Sequence, residues 1–221
     1  PIPADQSARF VADTDPDDSA SVRIFGPLTW TTENTFVAFE DLKNVGWSDW
    51  DYNDFIVALD VRKGATPNGE LLVVELHYEA RAHGGAYNHR FQHQLPVYAG
   101  GDYWLTVYNA EGVLYTHSAG AFTGDEPTFP IFERTKTAMP LPVNPPFDLI
   151  KYPFSNTMQE QVGTIVGHRA TLRVYLNDGA ANTVDVLPPL PWDPFLFVYN
   201  TNQEVHLVQP GHLDNTQVVN N

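Results

Sequence analysis

The chain has 221 residues, 43% of them hydrophobic and 13% aromatic, the composition of a globular protein and not of a disordered one. Asp and Glu number 27 against 12 Lys and Arg, a formal charge of −15, which argues against nucleic acid or an anionic membrane as partner. The absence of cysteine excludes disulfides, thiolate metal sites and cysteine nucleophiles together.

In chain order, the first element is Pro1–Ala12, expected as an extended N-terminal segment. The start Pro1-Ile2-Pro3 points to a processed chain, and the expectation is export to the cell surface, with a signal peptide already removed. No apolar run approaches the roughly 18–20 residues of a membrane-spanning helix, so membrane insertion is not expected. Acidic residues at alternate positions from Asp13 to Asp18 read as a solvated turn before a second ion site.

β-rich, alternating runs follow at Thr35–Glu40, Asp54–Val61, Leu71–Ala82, Tyr87–Leu95, Leu105–Asn109, Val113–His117, Thr164–Leu176, Leu196–Tyr199 and Val205–Val208. Turn residues separate them, including Pro67-Asn68-Gly69, Gly84-Gly85, Gly100-Gly101-Asp102 and Glu111-Gly112. Leu71–Leu95, broken by Gly84-Gly85, reads as one long hairpin. The best helical candidate, near Ser155–Val162, is short. The Pro-rich stretches Met139–Pro146 and Leu187–Pro194 are expected at edges or across the ends of the sheets. The expected fold is all-β: a sandwich or jelly-roll-like pair of antiparallel sheets with long Pro-rich connections, in one domain over residues 1–221, with residues 125–163 an insertion.

Chemistry concentrates in WSDWDYNDFIVA, residues 47–58, and in the acidic pair Glu40-Asp41 just upstream. Asp49, Asp51 and Asn53 have the spacing that opens a helix–loop–helix calcium site, and Asp60 falls at its twelfth position. Yet Asp54 stands where that loop needs glycine, and a strand would carry Asp60 roughly 20 Å away. A calcium loop between two strands fits better, with Asp49, Asp51 and Asn53 joined by Glu40, Asp41 or Asp54. An acidic surface turn is the alternative.

The run TFVAFEDLKNVGWSDWDYNDFIVALDV resembles the signature of the LruC-type domain of exported bacterial and archaeal proteins. Asp15–Asp18, the segment Gly84–Pro96, and Asp193–His212 resemble further family segments in the same order, so the resemblance spans roughly residues 13–215. It implies an extracellular β-rich module that binds calcium and has no established catalysis, and it carries the metal role to Glu40, Asp41, Asp49, Asp51, Asn53 and Asp54. The chain departs from the pattern at Trp47 and Trp50, at Gly85 where alanine is usual, and over residues 125–163.

Four histidines, His77, His83, His89 and His93, lie in the expected hairpin. If their faces coincide, they form a zinc or copper patch, and with Glu75 or Glu79 a jelly-roll oxygenase site. The bland reading is surface or backbone-bonded histidines. His206 reads as structural. No serine elbow, phosphate-binding glycine loop or recognisable carboxylate pair is present. Trp47 and Trp50 beside the acidic loop allow a calcium-dependent glycan platform, against aromatics that merely fill a sandwich. The leading expectation is a non-enzymatic extracellular calcium-binding β-sandwich, structural or adhesive at the cell surface and able to self-associate into filaments through an N-terminal donor strand. A calcium-dependent carbohydrate-binding module is the alternative.

Overall fold

A computed structural model describes residues 26–41, 52–151, 153–177, 179–207 and 216–217. The expected segment 1–12, the acidic turn 13–18 and Trp47, Asp49, Trp50 and Asp51 lie outside the described residues.

The described chain is two antiparallel sheets packed face to face. Its strands are β1 Thr29–Phe39, β2 Phe55–Ala65, β3 Leu71–Ala82, β4 His89–Gln94, β5 Gly101–Tyr108, β6 Leu114–Phe122, β7 Thr128–Phe132, β8 Arg169–Leu176, β9 Asp193–Val198, β10 Gln203–His206 and β11 Thr216–Gln217. One sheet has the order β1-β2-β3-β8-β5-β6, the other β11-β10-β9-β4-β7. The only α-helix among the described residues is the single turn α1, Thr135–Ala138. The short helical candidate near Ser155–Val162 forms turns instead.

Period-two alternation explains the layering. In β2, Phe55, Val57, Leu59 and Val61 are buried while Asp60 between them is exposed. The β5–β6 turn follows its sequence signal. Gly112 takes φ +77°, its N–H bonds to the Asn109 carbonyl at 3.0 Å, and the Asn109 side chain accepts the Val113 N–H at 2.8 Å.

Prolines sit where a missing N–H is tolerated. Pro130 lies in β7, at the edge of its sheet, and Pro194 is the second residue of β9. Of residues 125–163, Thr128–Phe132 form that edge strand, and Phe129, Ile131, Phe132, Ala138 and Met139 join the common core.

The expected hairpin Leu71–Leu95 is corrected. β3 pairs with β2 and β8, whereas β4 pairs with β7 and β9, so Gly84-Gly85 carries the chain from one sheet to the other. The four histidines are therefore divided. His77 lies on the outer face of the six-stranded sheet, its Nε2 2.7 Å from Glu75 and its Nδ1 3.2 Å from the Thr171 hydroxyl. His93 is fully buried from the other sheet, with Nε2–H donating to the Pro191 carbonyl at 2.9 Å and Nδ1 accepting from the Tyr78 hydroxyl at 2.8 Å. Both its nitrogens are satisfied in one neutral tautomer. The zinc or copper patch does not assemble: His77 faces outward and both nitrogens of His93 are engaged by Tyr78 and Pro191, so that only His83 and His89 stand beside each other.

At one end of the sandwich, Phe39, Phe55, Phe91 and Phe132 meet ring to ring, with centroids 5.7 to 6.2 Å apart. Each such ring contributes on the order of 1.5–3 kcal/mol by leaving water. Two of them, Phe39 and Phe55, directly flank the acidic residues described next.

Candidate metal centre

Register builds the site. Phe39 of β1 faces Phe55 of β2, so the residues just beyond, Glu40-Asp41 and Asp54, stand side by side where the two strands open into their connecting loop. The Asp54 N–H bonds to the Phe39 carbonyl at 3.1 Å, extending the ladder by one step. The Asp41 N–H then donates to Asp54 Oδ2 at 2.6 Å. One carboxylate oxygen from each of Glu40, Asp41 and Asp54 lies within 4.8 Å of the others, and among the described residues no other group of three His, Cys, Asp or Glu converges in this way. The three residues are only 1%, 4% and 7% exposed.

The crossover after β3 closes the far side. The Gly84 N–H bonds to the Asn53 carbonyl at 2.8 Å, and a Cβ at Gly84 would lie 1.8 Å from Asn53 Oδ1. A Cβ at Gly85 would stand 2.8 Å from Asp41 Oδ2 and 3.0 Å from Asp54 Oδ1. These glycines are required by close approach: a side chain at Gly84 would displace Asn53, and one at Gly85 the carboxylates of Asp41 and Asp54. A cavity of about 220 Å³, lined by His83, Gly85, Lys136 and Met139 among others, brings space for small solutes up to Gly85.

β4 orients one carboxylate. His89 Nε2–H donates to Asp41 Oδ2 at 2.7 Å, and its Nδ1 lies 3.1 Å from the hydroxyl of Thr135, the first residue of α1. That hydroxyl also accepts the His89 backbone N–H at 3.2 Å, which leaves its proton for Nδ1. A carboxylate–imidazole–hydroxyl chain of this kind fixes a ligand's direction from behind. His83 stacks on His89 with centroids 5.8 Å apart. It is 4% exposed and its Nε2 has no hydrogen-bond partner; burial, then its electrostatic interactions with His89 and Lys136, lowers its pKa to about 4.

Three carboxylates buried together beside phenylalanine are costly unless a proton or a cation neutralises them, because burial removes water's compensation for their repulsion. All the donor atoms are hard oxygens, the set that suits calcium or magnesium and not a soft metal. Glu40, Asp41 and Asp54 would hold the ion, with Asn53 beside them and with Gly85 leaving the space a methyl group would fill.

Of the six residues expected as ligands, the fold brings Glu40, Asp41 and Asp54 together and sets Asn53 against Gly84. Asp49 and Asp51, like Trp47 and Trp50, lie outside the described residues. Sequence reasoning missed His89 and Thr135 as the support of Asp41. The available signal was Gly84-Gly85, separated from Asn88-His89 by Ala86 and Tyr87 alone, a crossover able to approach other backbone closely.

The family model described as a domain of unknown function, DUF4842, matches residues 69–221. The chain belongs to this family. The DUF4842 match begins just before β3 and contains Gly84, Gly85 and His89, whereas Glu40, Asp41 and Asp54 precede it. No curated protein sequence matches the chain.

Gly85→Ala gives a direct test of the crowding. The added methyl group is expected to cost about 1–3 kcal/mol, and more with calcium present than in EDTA, because it displaces two carboxylate oxygens. Melting both proteins in both buffers checks this. An equal loss in the two buffers would mean that Gly85 serves only the packing.

Proposed function

We propose that this chain is a non-enzymatic extracellular β-sandwich in which a calcium ion ties the β1–β2 loop to the β3–β4 crossover, and that it serves as a structural component of a cell surface. The observation that carries the reading is the buried convergence of Glu40, Asp41 and Asp54, with His89 holding Asp41 from behind. Calcium would neutralise most of the charge gathered there and pin the two ends of the β1–β2 loop together, under the crossover at Gly85. The cysteine-free, strongly acidic composition supports a surface role, as does the resemblance of residues 13–215 to the LruC-type domain, a finer assignment than the matched family.

Self-association belongs to the same reading, with Pro1–Ala12 of one copy as a donor strand for another. The calcium half is tested by calorimetric titration of the ion into wild type and into a chain lacking two of the three carboxylates; the assembly half is tested by light scattering of the full chain.

A further inference from the structure

We propose that the outer edge of β6 is the acceptor for residues 2–12 of a second copy, so that copies join head to tail. This rests on the self-association part of the reading above and names the surface it uses.

β6 closes one edge of the six-stranded sheet, pairing with β5 on one side and with no described strand on the other. Eight of its nine residues are exposed, so that neither face is covered by described structure. Its sequence, LYTHSAGAF, has no proline and no Asp, Glu, Lys or Arg, the residues with which proteins usually guard an edge. The edge of the opposite sheet on the same side is β7, and there Pro130 interrupts the donors. Of the two edges, β6 is therefore the one that offers a continuous row of backbone partners.

Between these two edges lies a groove of about 190 Å³, lined by Val107, Tyr115, Thr116, Ile131, Phe132 and His168 among others. Tyr115 packs edge-on against His168 there, with centroids 4.9 Å apart. An added strand would bond to β6 through its backbone and lower alternate side chains into this groove.

Residues 2–12 have the matching pattern. On an extended chain Ile2, Ala4, Ala8, Phe10 and Ala12 share one face with the single polar residue Gln6, and Asp5, Ser7 and Arg9 share the other with Pro3 and Val11. Its one acid and one base cancel, and β6 is uncharged, so this contact escapes the repulsion that a chain of charge −15 meets elsewhere. Pairing within one copy would need the chain to reach from β1, at the opposite edge, across five strand spacings or roughly 24 Å to β6. Donor and acceptor are different segments of the chain, so the contact between copies is heterologous and joins them in a row or a ring.

The test uses the full chain, followed by light scattering on a sizing column and by circular dichroism as a check of folding. Phe10→Asp spoils the donor. Thr116→Trp fills the groove, and Ala119→Pro breaks the β6 edge by a second route. Wild type is expected as polymers and each variant as a folded monomer. Mixing Phe10→Asp with Thr116→Trp is expected to give dimers and nothing larger, since one sound donor then meets one sound acceptor. Polymers that survive Phe10→Asp and the folded β6 variants would overturn the β6 assignment while leaving self-association standing. A wild type that stays monomeric at every concentration would overturn both.

Discussion

With calcium present, Asp54→Asn is expected to unfold at a lower temperature than wild type; in EDTA the order reverses. On the proposed calcium reading, the ion would stabilise the wild type by about 3–4 kcal/mol at a hundred- to thousand-fold excess over its dissociation constant, and the variant would lose most of this with its charged ligand. For a chain of this size that is a fall of roughly 6–15 °C. In EDTA the balance changes sign, because the three carboxylates repel one another. Two charges no more than 4.8 Å apart in a medium of effective dielectric constant near 20 cost at least about 3 kcal/mol, and removing one relieves two such pairs. Asparagine keeps an oxygen able to accept the Asp41 N–H, so the contrast isolates charge from shape. A variant that melts below wild type by the same margin in both buffers would place Asp54 in the packing and not in an ion site.

The second large effect is with pH, measured in EDTA so that ion binding does not contribute. His83 and His93 are both buried, and in both the loss of hydration lowers the pKa from 6.5 to about 4. The unfolded chain therefore takes up these two protons at higher pH than the folded one. Stability is lost as pH falls from about 6.5 to about 4, by about 3 kcal/mol for each histidine. The sum rivals the 5–15 kcal/mol that holds a typical domain together. Glu75 acts lower on the scale. Its hydrogen bond from His77, outweighing burial and helped by Arg173, takes its pKa from 4.5 to about 2, so its contribution is present above 4.5 and disappears between there and about 2. Denaturant titrations at stepped pH check the profile. His83→Phe should flatten the upper part by about half while costing little at neutral pH, because the lost Nε2 had no hydrogen-bond partner. A stability that is level from pH 6.5 to 4, or one whose slope His83→Phe leaves unchanged, would contradict this account of the buried histidines.

Most of the sheet architecture was legible because the strands carry their alternation openly. Leu71–Ala82 is β3 at both ends, and β2 and β4 are displaced by only a few residues. β7 was not legible, since TFPIF is short, contains a proline and lies among other turn residues; its place at a sheet edge makes that proline harmless. The Gly84-Gly85 break was visible and its meaning was not. Two glycines suit a hairpin and a sheet-to-sheet crossover equally, and the choice depends on which partners β3 and β4 find far away in sequence. That choice also decided the histidines, which alternation had grouped: the crossover stacks His83 on His89 and leaves His77 and His93 apart.

At the site, Glu40 and Asp41 were readable as the end of one strand and Asp54 as the start of the next. Their convergence follows from the Phe39–Phe55 register, which no local pattern specifies. The eye-catching spacing of Asp49, Asp51 and Asn53 drew attention to the right loop, while the carboxylates that the fold buries together are those at its two ends. His89 and Thr135 belong to elements distant in sequence, and only packing brings them behind Asp41.

The central claim is an ion held by Glu40, Asp41 and Asp54, and calorimetric titration of calcium tests it most directly. Wild type and the double variant Glu40→Gln/Asp54→Asn would be titrated after exhaustive chelation, both confirmed folded. The account predicts that the double variant binds one calcium fewer per chain than wild type. Identical stoichiometry and affinity in the two proteins, or no calcium uptake by wild type at all, would contradict it.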